Sequence, residues 1–218
     1  MVSKRTASRY EKKYLVENSD LTDIRSFVSS HPAGFYQAHP QRRVNSLYFD
    51  SPTLKFYQAS LDGDYHRIKP RFRWYQTEAK QIKTGQLEFK IKNGELGYKK
   101  VVPIKKICFD IEEIGKQAPI EMATFLETLV PTLLTSYTRE YYLSADQKVR
   151  LTIDSDLKYT DYFYQTGYSL NDPRTVVEIK YQPGQEIRAQ AVVQDLPLVL
   201  SKMSKYAVGV ETLAQVIY

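Results

Sequence analysis

Four segments of this chain place charged side chains on one face and apolar side chains on the other when they are read as β-strands. The clearest spans residues 66–74, with the sequence HRIKPRFRW. Because successive side chains of an extended chain point to opposite faces, its basic residues share one face and its bulky apolar residues share the other. The basic set is Arg67, Lys69, Arg71 and Arg73, and the apolar set is Ile68, Phe72 and Trp74. The alternation recurs in residues 87–92, 150–154 and 177–181. A sheet of such strands can bury its apolar face under helices and close its charged face around a polyanion, which favours a phosphate-rich ligand.

The bulk composition agrees with an anionic partner but does not identify it. The 218 residues suit one domain, residues 1–218, and the net charge is +6. The chain contains no block of five like charges, which a nucleic-acid-binding tail would have. The aromatic residues alternate away from the basic face, so no stacking platform forms and no nucleic-acid partner is expected.

Few features of the sequence bear on the cellular compartment or on membrane attachment. The single cysteine, Cys108, suits a reducing compartment, and the three histidines lack metal-ligand spacing. No stretch of 18 apolar residues and no signal-peptide core is present. The sequence therefore predicts a cytoplasmic protein without a membrane segment of its own. A separate membrane-bound partner stays open.

Periodicity and turn signals predict an α+β domain built on one antiparallel sheet or barrel. Strands are predicted over residues 8–16, 43–50, 65–76, 85–92, 97–103, 133–143, 148–156 and 175–182, with an irregular strand or loop over 159–168. Helices are predicted over residues 21–30, 51–61, 119–130, 196–206 and 210–218, with Gly209 between the last two. Ser19 or Asp20 would cap the first helix, and Asn93-Gly94 is a hairpin signal.

Eight strands closed into a barrel leave an interior wide enough for one small ligand. With the charged faces turned inward, this lumen contains Arg9, Glu11, Lys13, Arg67, Lys69, Arg71, Arg73, Glu88, Lys90, Lys92, Arg139, Arg150, Glu178 and Lys180. Such a lumen repels itself unless phosphates, counter-ions or water neutralise it. The few carboxylates suit a Mg²⁺ or Mn²⁺ ion completed by phosphate oxygens.

Eight short motifs follow one another along the chain, at residues 9–14, 46–51, 67–73, 88–90, 137–139, 150–154, 178–180 and 201–206. In this order they resemble the catalytic domain of the vacuolar transporter chaperone (VTC) complex. The resemblance implies an antiparallel eight-stranded triphosphate-tunnel barrel with a basic lumen and flanking helices. It also implies an ATP-dependent polyphosphate polymerase, which transfers the γ-phosphate of ATP to a growing inorganic polyphosphate chain and requires Mn²⁺ or Mg²⁺.

The resemblance and the lumen together assign roles to individual side chains. The predicted catalytic residues are Arg71, Arg73, Arg139, Arg150, Lys202 and Lys205. The predicted substrate-binding residues are Lys13, Arg67, Lys69, Lys90, Lys92, Lys100, Tyr137, Lys180 and Ser204. Glu178 is the predicted metal ligand, followed by Glu11 and Glu88, although Glu88 could equally neutralise Lys90. Two interpretations of Asp154 stay open: it contacts the metal ligands without binding the metal itself, or it lies in a turn.

One departure from the wider superfamily bears on the reaction. Related tunnel enzymes often begin with Glu-x-Glu-x-Lys, whereas Arg9 replaces the first glutamate here and leaves Glu11 alone on the first strand. This favours a polymerase over hydrolases, in which two glutamates of that strand help to hold metal. Two alternatives stay open: a hydrolase of the same fold that splits triphosphate or nucleoside triphosphate, and a non-catalytic polyphosphate-binding module. Retention of Glu178 and of residues 202–205 argues against the second.

Overall fold

An eleven-stranded sheet with six helices makes up the part of the chain that the structure describes. This computed structural model describes residues 4–16, 21–76, 84–105, 110–196, 198–201 and 203–217. The strands are β1 (Lys4–Arg5), β2 (Tyr10–Val16), β3 (Tyr36–Asp50), β4 (His66–Gln76), β5 (Gly85–Asn93), β6 (Leu96–Ile104), β7 (Val130–Leu143), β8 (Val149–Asp161), β9 (Ser169–Asp172), β10 (Thr175–Tyr181) and β11 (Val199–Ser201). The helices are α1 (Leu21–Ser30), α2 (Lys55–Leu61), α3 (Ile111–Gly115), α4 (Ile120–Leu126), α5 (Glu186–Gln194) and α6 (Lys205–Ile217).

The strands pair antiparallel in the order β1-β6-β5-β4-β3-β7-β8-β10-β2-β11, and β9 pairs with β8 outside this path. The path is open and contains ten strands, so the prediction of a closed eight-stranded barrel is wrong. Residues 4–16 nevertheless connect its two ends, because β1 pairs with β6 while β2 pairs with β10. An isolated bridge between Arg9 and Gly97 marks where the chain leaves β6. The sheet is curled and encloses one of its faces, and contacts such as Lys90–Glu11 cross the enclosed space.

Helices cover the outer, apolar face of the sheet in two places. On β10, Val177 and Ile179 point outward into a cluster with residues of α1 and α5. On β4, Phe72 and Trp74 point outward into a second cluster with residues of α3 and α4. The alternation seen in the sequence therefore separates an apolar outer face of the sheet from a charged inner face.

A third apolar cluster lies on the inner side, where α6 packs against the sheet. It includes Leu133, Tyr159 and Tyr206, all nearly fully buried. The hydroxyl of Tyr206 donates to Asp50 Oδ2 at 2.5 Å, and the backbone N–H groups of residues 56 and 57 donate to the same carboxylate at 2.9 Å. One buried carboxylate thus joins the end of β3, the start of α2 and the start of α6.

A β-bulge changes the inner residues of β8. The β7–β8 register slips between Ser136 and Thr138, and Asp156 has a positive φ of 51° at this point. An extra residue on one strand reverses which side chains face inward beyond it. Asp154 is inward on one side of the bulge, and Leu157 and Tyr159 are inward on the other, in the cluster beneath α6.

Most predicted elements exist, but the C-terminal prediction was wrong. The first helix has the predicted bounds, Leu21–Ser30, while its predicted caps Ser19 and Asp20 lie outside the described residues. Residues 199–201 form an edge strand instead of helix, and residues 186–194 form a helix that was not resolved from the pattern. Gly209 lies inside α6 instead of separating two helices. β3 begins at Tyr36, seven residues before the start that the sequence predicted at residue 43.

No helix in the described part of the chain has the length and apolar composition needed to cross a membrane.

We expect Gly209→Ala to destabilise the fold. A Cβ atom at this position would meet Leu133 Cδ2 at 2.6 Å and Tyr159 Cδ1 at 2.8 Å, so the helix would have to move away from the sheet. Overpacking of this kind lowers the free energy of unfolding by about 1–3 kcal/mol. Urea denaturation measures the change. Gly115→Ala in α3 is the matched control, because its nearest contact is 3.9 Å, and we expect no loss of stability there. An equal effect of both substitutions would contradict the packing argument.

Candidate functional site

The centre of the charged inner face is Glu88, which is fully buried at 0% exposure. Arg71 donates through Nε and Nη2 to Glu88 Oε2 at 2.8 and 2.5 Å, and Lys99 donates to Oε1 at 2.5 Å. Burial by itself would raise the pKa of Glu88, but Arg71, Arg73 and Lys99 outweigh it and hold this pKa well below the usual range. Glu88 is thus a neutralising carboxylate, as one of the two predicted alternatives had it, but its partners are Arg71 and Lys99 instead of Lys90.

The adjacent lysines of β6 point in opposite directions. Lys99 reaches the interior, whereas Lys100 is exposed and pairs in register with Phe89, a member of the outer apolar cluster. The prediction that Lys100 binds substrate is therefore wrong, and Lys99 was missed. Val102 and Ile104, two and four residues after Lys100, share its outward face and are buried there. Lys99-Val101 and Lys100-Val102 alternate alike, so the sequence did not decide which lysine faces inward.

Tyr137 lies among three cations. Its hydroxyl accepts a hydrogen bond from Arg73 Nη2 at 3.1 Å, while the Arg139 guanidinium and the Lys205 ammonium lie 5.2 and 4.9 Å from its ring centroid. Arg73 also donates to Ser46 Oγ at 2.9 Å. Cations are attracted to the face of an aromatic ring, so Tyr137 holds three of the predicted catalytic residues around one position.

A second buried charge cluster joins β7, β8, β10 and α6. Arg139 donates to both carboxylate oxygens of Asp154, at 2.5 and 2.6 Å, and to Glu178 Oε2 at 3.1 Å. Lys205 lies 2.5 Å from Asp154 Oδ2 and 3.4 Å from Glu178 Oε1, and Lys180 also pairs with Glu178. This cluster brings together three predicted site residues from two strands, Arg139 of β7 and Glu178 and Lys180 of β10, with Lys205 of α6. It also settles the role of Asp154, which is a buried partner of Arg139 and Lys205 and not a turn residue.

The carboxylates of this cluster are ionised. Burial would raise the pKa of Glu178, but Lys180, Arg139 and Lys205 hold it well below its usual range. Asp154 behaves likewise, its pKa being lowered by Arg139 and Lys205 against the effect of burial. Both groups therefore remain negative at neutral pH and neutralise the cations around them.

A third group of cations has fewer carboxylates near it. Lys69 donates to the hydroxyl of Ser204 at 2.6 Å, and Lys13 donates to the backbone carbonyl of residue 203 at 3.1 Å. Glu11 Oε1 accepts from Lys90 at 2.9 Å and lies 3.4 Å from Lys13. Glu11 thus pairs with both Lys90 and Lys13, whereas the hydrogen-bond partner of Lys69 is a neutral hydroxyl.

The remaining members of this group are Arg67 and Lys92, which pair in register between β4 and β5. Arg67 Nε is buried without a hydrogen-bond partner in the described chain, and its Nη2 reaches the carbonyl of Gly94 only at 3.5 Å. Burial, together with Lys13, Lys90, Arg67 and Lys92, lowers the pKa of Lys69 well below its usual range. Excess positive charge is therefore concentrated around Lys69, which suits a multiply charged anion.

Two predicted catalytic residues lie elsewhere or cannot be placed. Arg150 is exposed, opposite Lys180 in the β8–β10 register, so it lies at the margin of the charged face and not in its buried centre. Lys202 falls outside the described residues, and so does Cys108.

The predicted metal ligands divide between two places. Glu178 and Glu11 lie on adjacent strands. Burial raises the pKa of Glu11, but Lys90 and Lys13 outweigh it and hold this pKa well below its usual range, while the charge of the nearby Glu178 opposes them. Glu88 belongs to the cluster of Arg71, and no group of three His, Cys, Asp or Glu side chains with ligand geometry exists among residues 4–217 as far as they are described. A Mg²⁺ or Mn²⁺ ion completed by phosphate oxygens needs only one or two carboxylates. Glu178 and Glu11 supply that number, although each is paired with cationic side chains that a metal ion would have to displace, and Glu88 does not join them.

Comparison with known proteins identifies the family. A family model of the VTC domain matches residues 8–214, and the chain therefore belongs to the VTC domain family. This membership agrees with the eight motifs and indicates a polyphosphate-related protein. A comparison with curated protein sequences found no match.

Solved structures share the fold at low sequence identity. The PH1819 protein from Pyrococcus horikoshii OT3 aligns with a TM-score of 0.53 and 14% identity, over 94% of this chain and 98% of that one. A putative adenylate cyclase from Vibrio parahaemolyticus aligns with a TM-score of 0.53 and 12% identity, over 90% of this chain and 95% of that one. At these identities the likeness shows a common fold.

The unusual protonation of Lys90 gives a test of anion binding. Burial lowers the pKa of Lys90 to about 7, with Glu11 opposing the shift and Lys13 adding to it. At pH 8 the free protein therefore holds Lys90 mostly neutral, and a bound polyanion should restore its proton. We expect tripolyphosphate binding to be accompanied by proton uptake, and Lys90→Gln to remove roughly one proton of it. Calorimetric titration in buffers of different ionisation enthalpy measures this number.

The matched control is Lys100→Gln on the outer face, which should leave proton uptake unchanged. Affinity of the wild type should fall as pH rises above 7, since proton uptake and affinity are linked. The unliganded protein should become more stable as pH rises above 7. In the unfolded state the pKa of this lysine is 10.5, so over this range the unfolded state binds more protons than the folded state. Equal proton uptake by wild type and Lys90→Gln would remove Lys90 from the anion site.

Proposed function

We propose that this chain is an ATP-dependent polyphosphate polymerase, which transfers the γ-phosphate of ATP to inorganic polyphosphate. The observation that carries the proposal is the row of inward cations at every second position of β4, from Arg67 to Arg73. At a rise of about 3.3 Å per residue this row extends over about 20 Å, which suits several linked phosphoryl groups better than a single phosphate. Membership of the VTC domain family favours the same function.

The cations that a phosphate chain would meet are those whose charge is least compensated. Arg73 donates to the neutral hydroxyls of Ser46 and Tyr137, and its nearest carboxylate, Glu88, is 4.0 Å away. Lys69 likewise donates to a neutral hydroxyl. In our proposal these two side chains bind phosphate oxygens directly, together with Arg67, Lys92 and Lys13. Arg71, Arg139 and Lys205 shape the site while remaining paired with carboxylates.

The transfer step requires positioning and charge more than protein nucleophiles. A terminal oxygen of the polyphosphate attacks the γ-phosphorus of ATP, the bond to the bridging oxygen of the β-phosphate breaks, and ADP leaves. Negative charge spreads over the oxygens of the transferred group, and fixed cations such as Arg73 stabilise it. The attacking terminal phosphate is already ionised, so no general base is needed. A Mn²⁺ or Mg²⁺ ion bound at Glu178 and Glu11 would neutralise phosphate oxygens in the same step.

Product analysis tests the proposal. With ATP and Mn²⁺ we expect ADP to appear together with long-chain polyphosphate and with little free orthophosphate, because the charged interior favours a second polyanion over water as the acceptor. Gel electrophoresis of the polymer and quantification of both small products measure the outcome. Added short polyphosphate should shorten any lag by supplying an acceptor. Orthophosphate formed one-for-one with ADP would replace the polymerase by a hydrolase, and binding without ADP formation would indicate a non-catalytic module.

The role of Glu178 can be tested by Glu178→Gln, which keeps its shape but removes its charge. We expect turnover to fall about a hundredfold or more, as for loss of one key electrostatic group at an active site. Rates at saturating Mn²⁺ and the thermal midpoint should be measured together, since Lys180, Arg139 and Lys205 lose a shared partner. Glu127→Gln, an exposed carboxylate of the outer surface, is the control. Wild-type turnover in Glu178→Gln would exclude Glu178 as the metal ligand.

A further inference from the structure

Three neighbouring strands carry a row of aromatic and basic side chains just beyond the buried arginines. Tyr75 of β4, Arg42 of β3 and Tyr141 of β7 follow one another across the sheet. The Arg42 guanidinium lies 5.8 Å from the centroid of the Tyr75 ring and 5.6 Å from that of the Tyr141 ring. Tyr75 is 40% exposed, and Arg42 and Tyr141 are partly exposed. The row therefore offers flat, solvent-accessible surfaces at the edge of the charged face.

Its position relative to the phosphate-binding residues is fixed by strand geometry. Tyr75 lies two residues after Arg73 and Tyr141 lies two residues after Arg139, so each tyrosine shares the inward face of its arginine. Two residues along a strand correspond to about 7 Å. Arg42 is also paired in register with Arg139. The row therefore runs diagonally across the sheet: Tyr75 lies one step beyond Arg73, Arg42 is level with Arg139, and Tyr141 lies one step beyond Arg139.

The rings deeper in the site are not available for stacking. Tyr137 is buried between Arg139 and Lys205, and Tyr48 is stacked on Tyr206 with centroids 4.9 Å apart. Tyr75 and Tyr141, which follow Arg73 and Arg139 on the same face, are both at least partly exposed. A nucleotide held by its phosphates at Arg73 would place its nucleoside at this row, since Tyr75 follows Arg73 on the same face of β4.

We propose that Tyr75, Arg42 and Tyr141 form a nucleobase-binding subsite, in which the base of a nucleoside triphosphate stacks on the tyrosine rings and the guanidinium plane. Aromatic rings and arginine planes both stack on bases, and the energy is insensitive to base edges. The subsite therefore prefers the larger purines to pyrimidines without reading their hydrogen-bonding groups. The proposal rests on the proposed function insofar as it takes a nucleoside triphosphate to be the phosphate donor.

Comparing ATP with tripolyphosphate isolates the contribution of the base. We expect Tyr75→Leu and Tyr141→Leu each to weaken ATP binding about tenfold, as for loss of one stacking partner, and to change tripolyphosphate binding by less than about twofold. Tyr75→Phe keeps the ring and should bind ATP as the wild type does. Tyr168→Leu is the matched control, because this tyrosine has a similar exposure of 43% and lies in the loop before β9. Calorimetric dissociation constants for ATP, CTP and tripolyphosphate, with thermal midpoints for every variant, measure these effects.

Each outcome has a distinct meaning. An equal loss for ATP and tripolyphosphate in a folded Tyr75→Leu variant would overturn the subsite, since the tyrosine would then only support the phosphate site. Unchanged ATP binding in both leucine variants would overturn it as well. If a leucine variant does not fold, Arg42→Met and Tyr75→Phe still decide, because the first should weaken ATP selectively and the second should not. Failure of the polymerase proposal alone would leave the difference between ATP and tripolyphosphate intact, so the two failures can be told apart.

Discussion

The inner face of this protein depends on three buried carboxylates that neutralise the cations around them. Glu88 and Asp154 are 0% exposed and Glu178 is 6% exposed. Each contacts at least two basic side chains from different strands or from α6. A buried charge without a partner destabilises a fold by several kcal/mol, so neither the cations nor the carboxylates could occupy this space alone. Their mutual neutralisation allows a basic sheet face to be enclosed at all.

Neutralisation is complete in one part of the interior and incomplete in another, and this division has functional meaning. Arg71, Arg139 and Lys205 are held by carboxylates at short distances, so they form a fixed framework. Lys69 and Arg73 donate to neutral hydroxyls. The charge of Arg73 remains for a ligand, and a bound polyanion would favour the protonated form of Lys69, whose pKa is lowered by burial and by its cationic neighbours. A site with preorganised charge needs little rearrangement when a polyanion binds, which is the property that phosphoryl transfer requires.

The start of α6 links the two parts. Ser204 contacts Lys69 in the uncompensated part, Lys205 contacts Asp154 in the compensated part, and Tyr206 contacts Asp50 at the end of β3. The motif at residues 201–206 signalled a role for these residues, although the sequence placed the helix too early. The edge strand β11 precedes α6 because residues 199–201 add to β2, a pairing between segments almost 190 residues apart that no local pattern contains.

The sequence by itself determined which residues of β4, β5 and β10 are inward and which are outward, because alternation in a strand is local and has a fixed period. It therefore placed Arg71, Arg73 and Glu178 correctly on the charged face, and the order of motifs indicated the family. Tertiary structure decided the partners. The register between strands put Lys99 inside and Lys100 outside, and joined Glu88 to Arg71 instead of Lys90. The bulge at Asp156 let β8 present Asp154 and then the apolar Leu157 to the same interior. Register and bulges arise from contacts between distant segments, and the sequence of any one strand does not contain them.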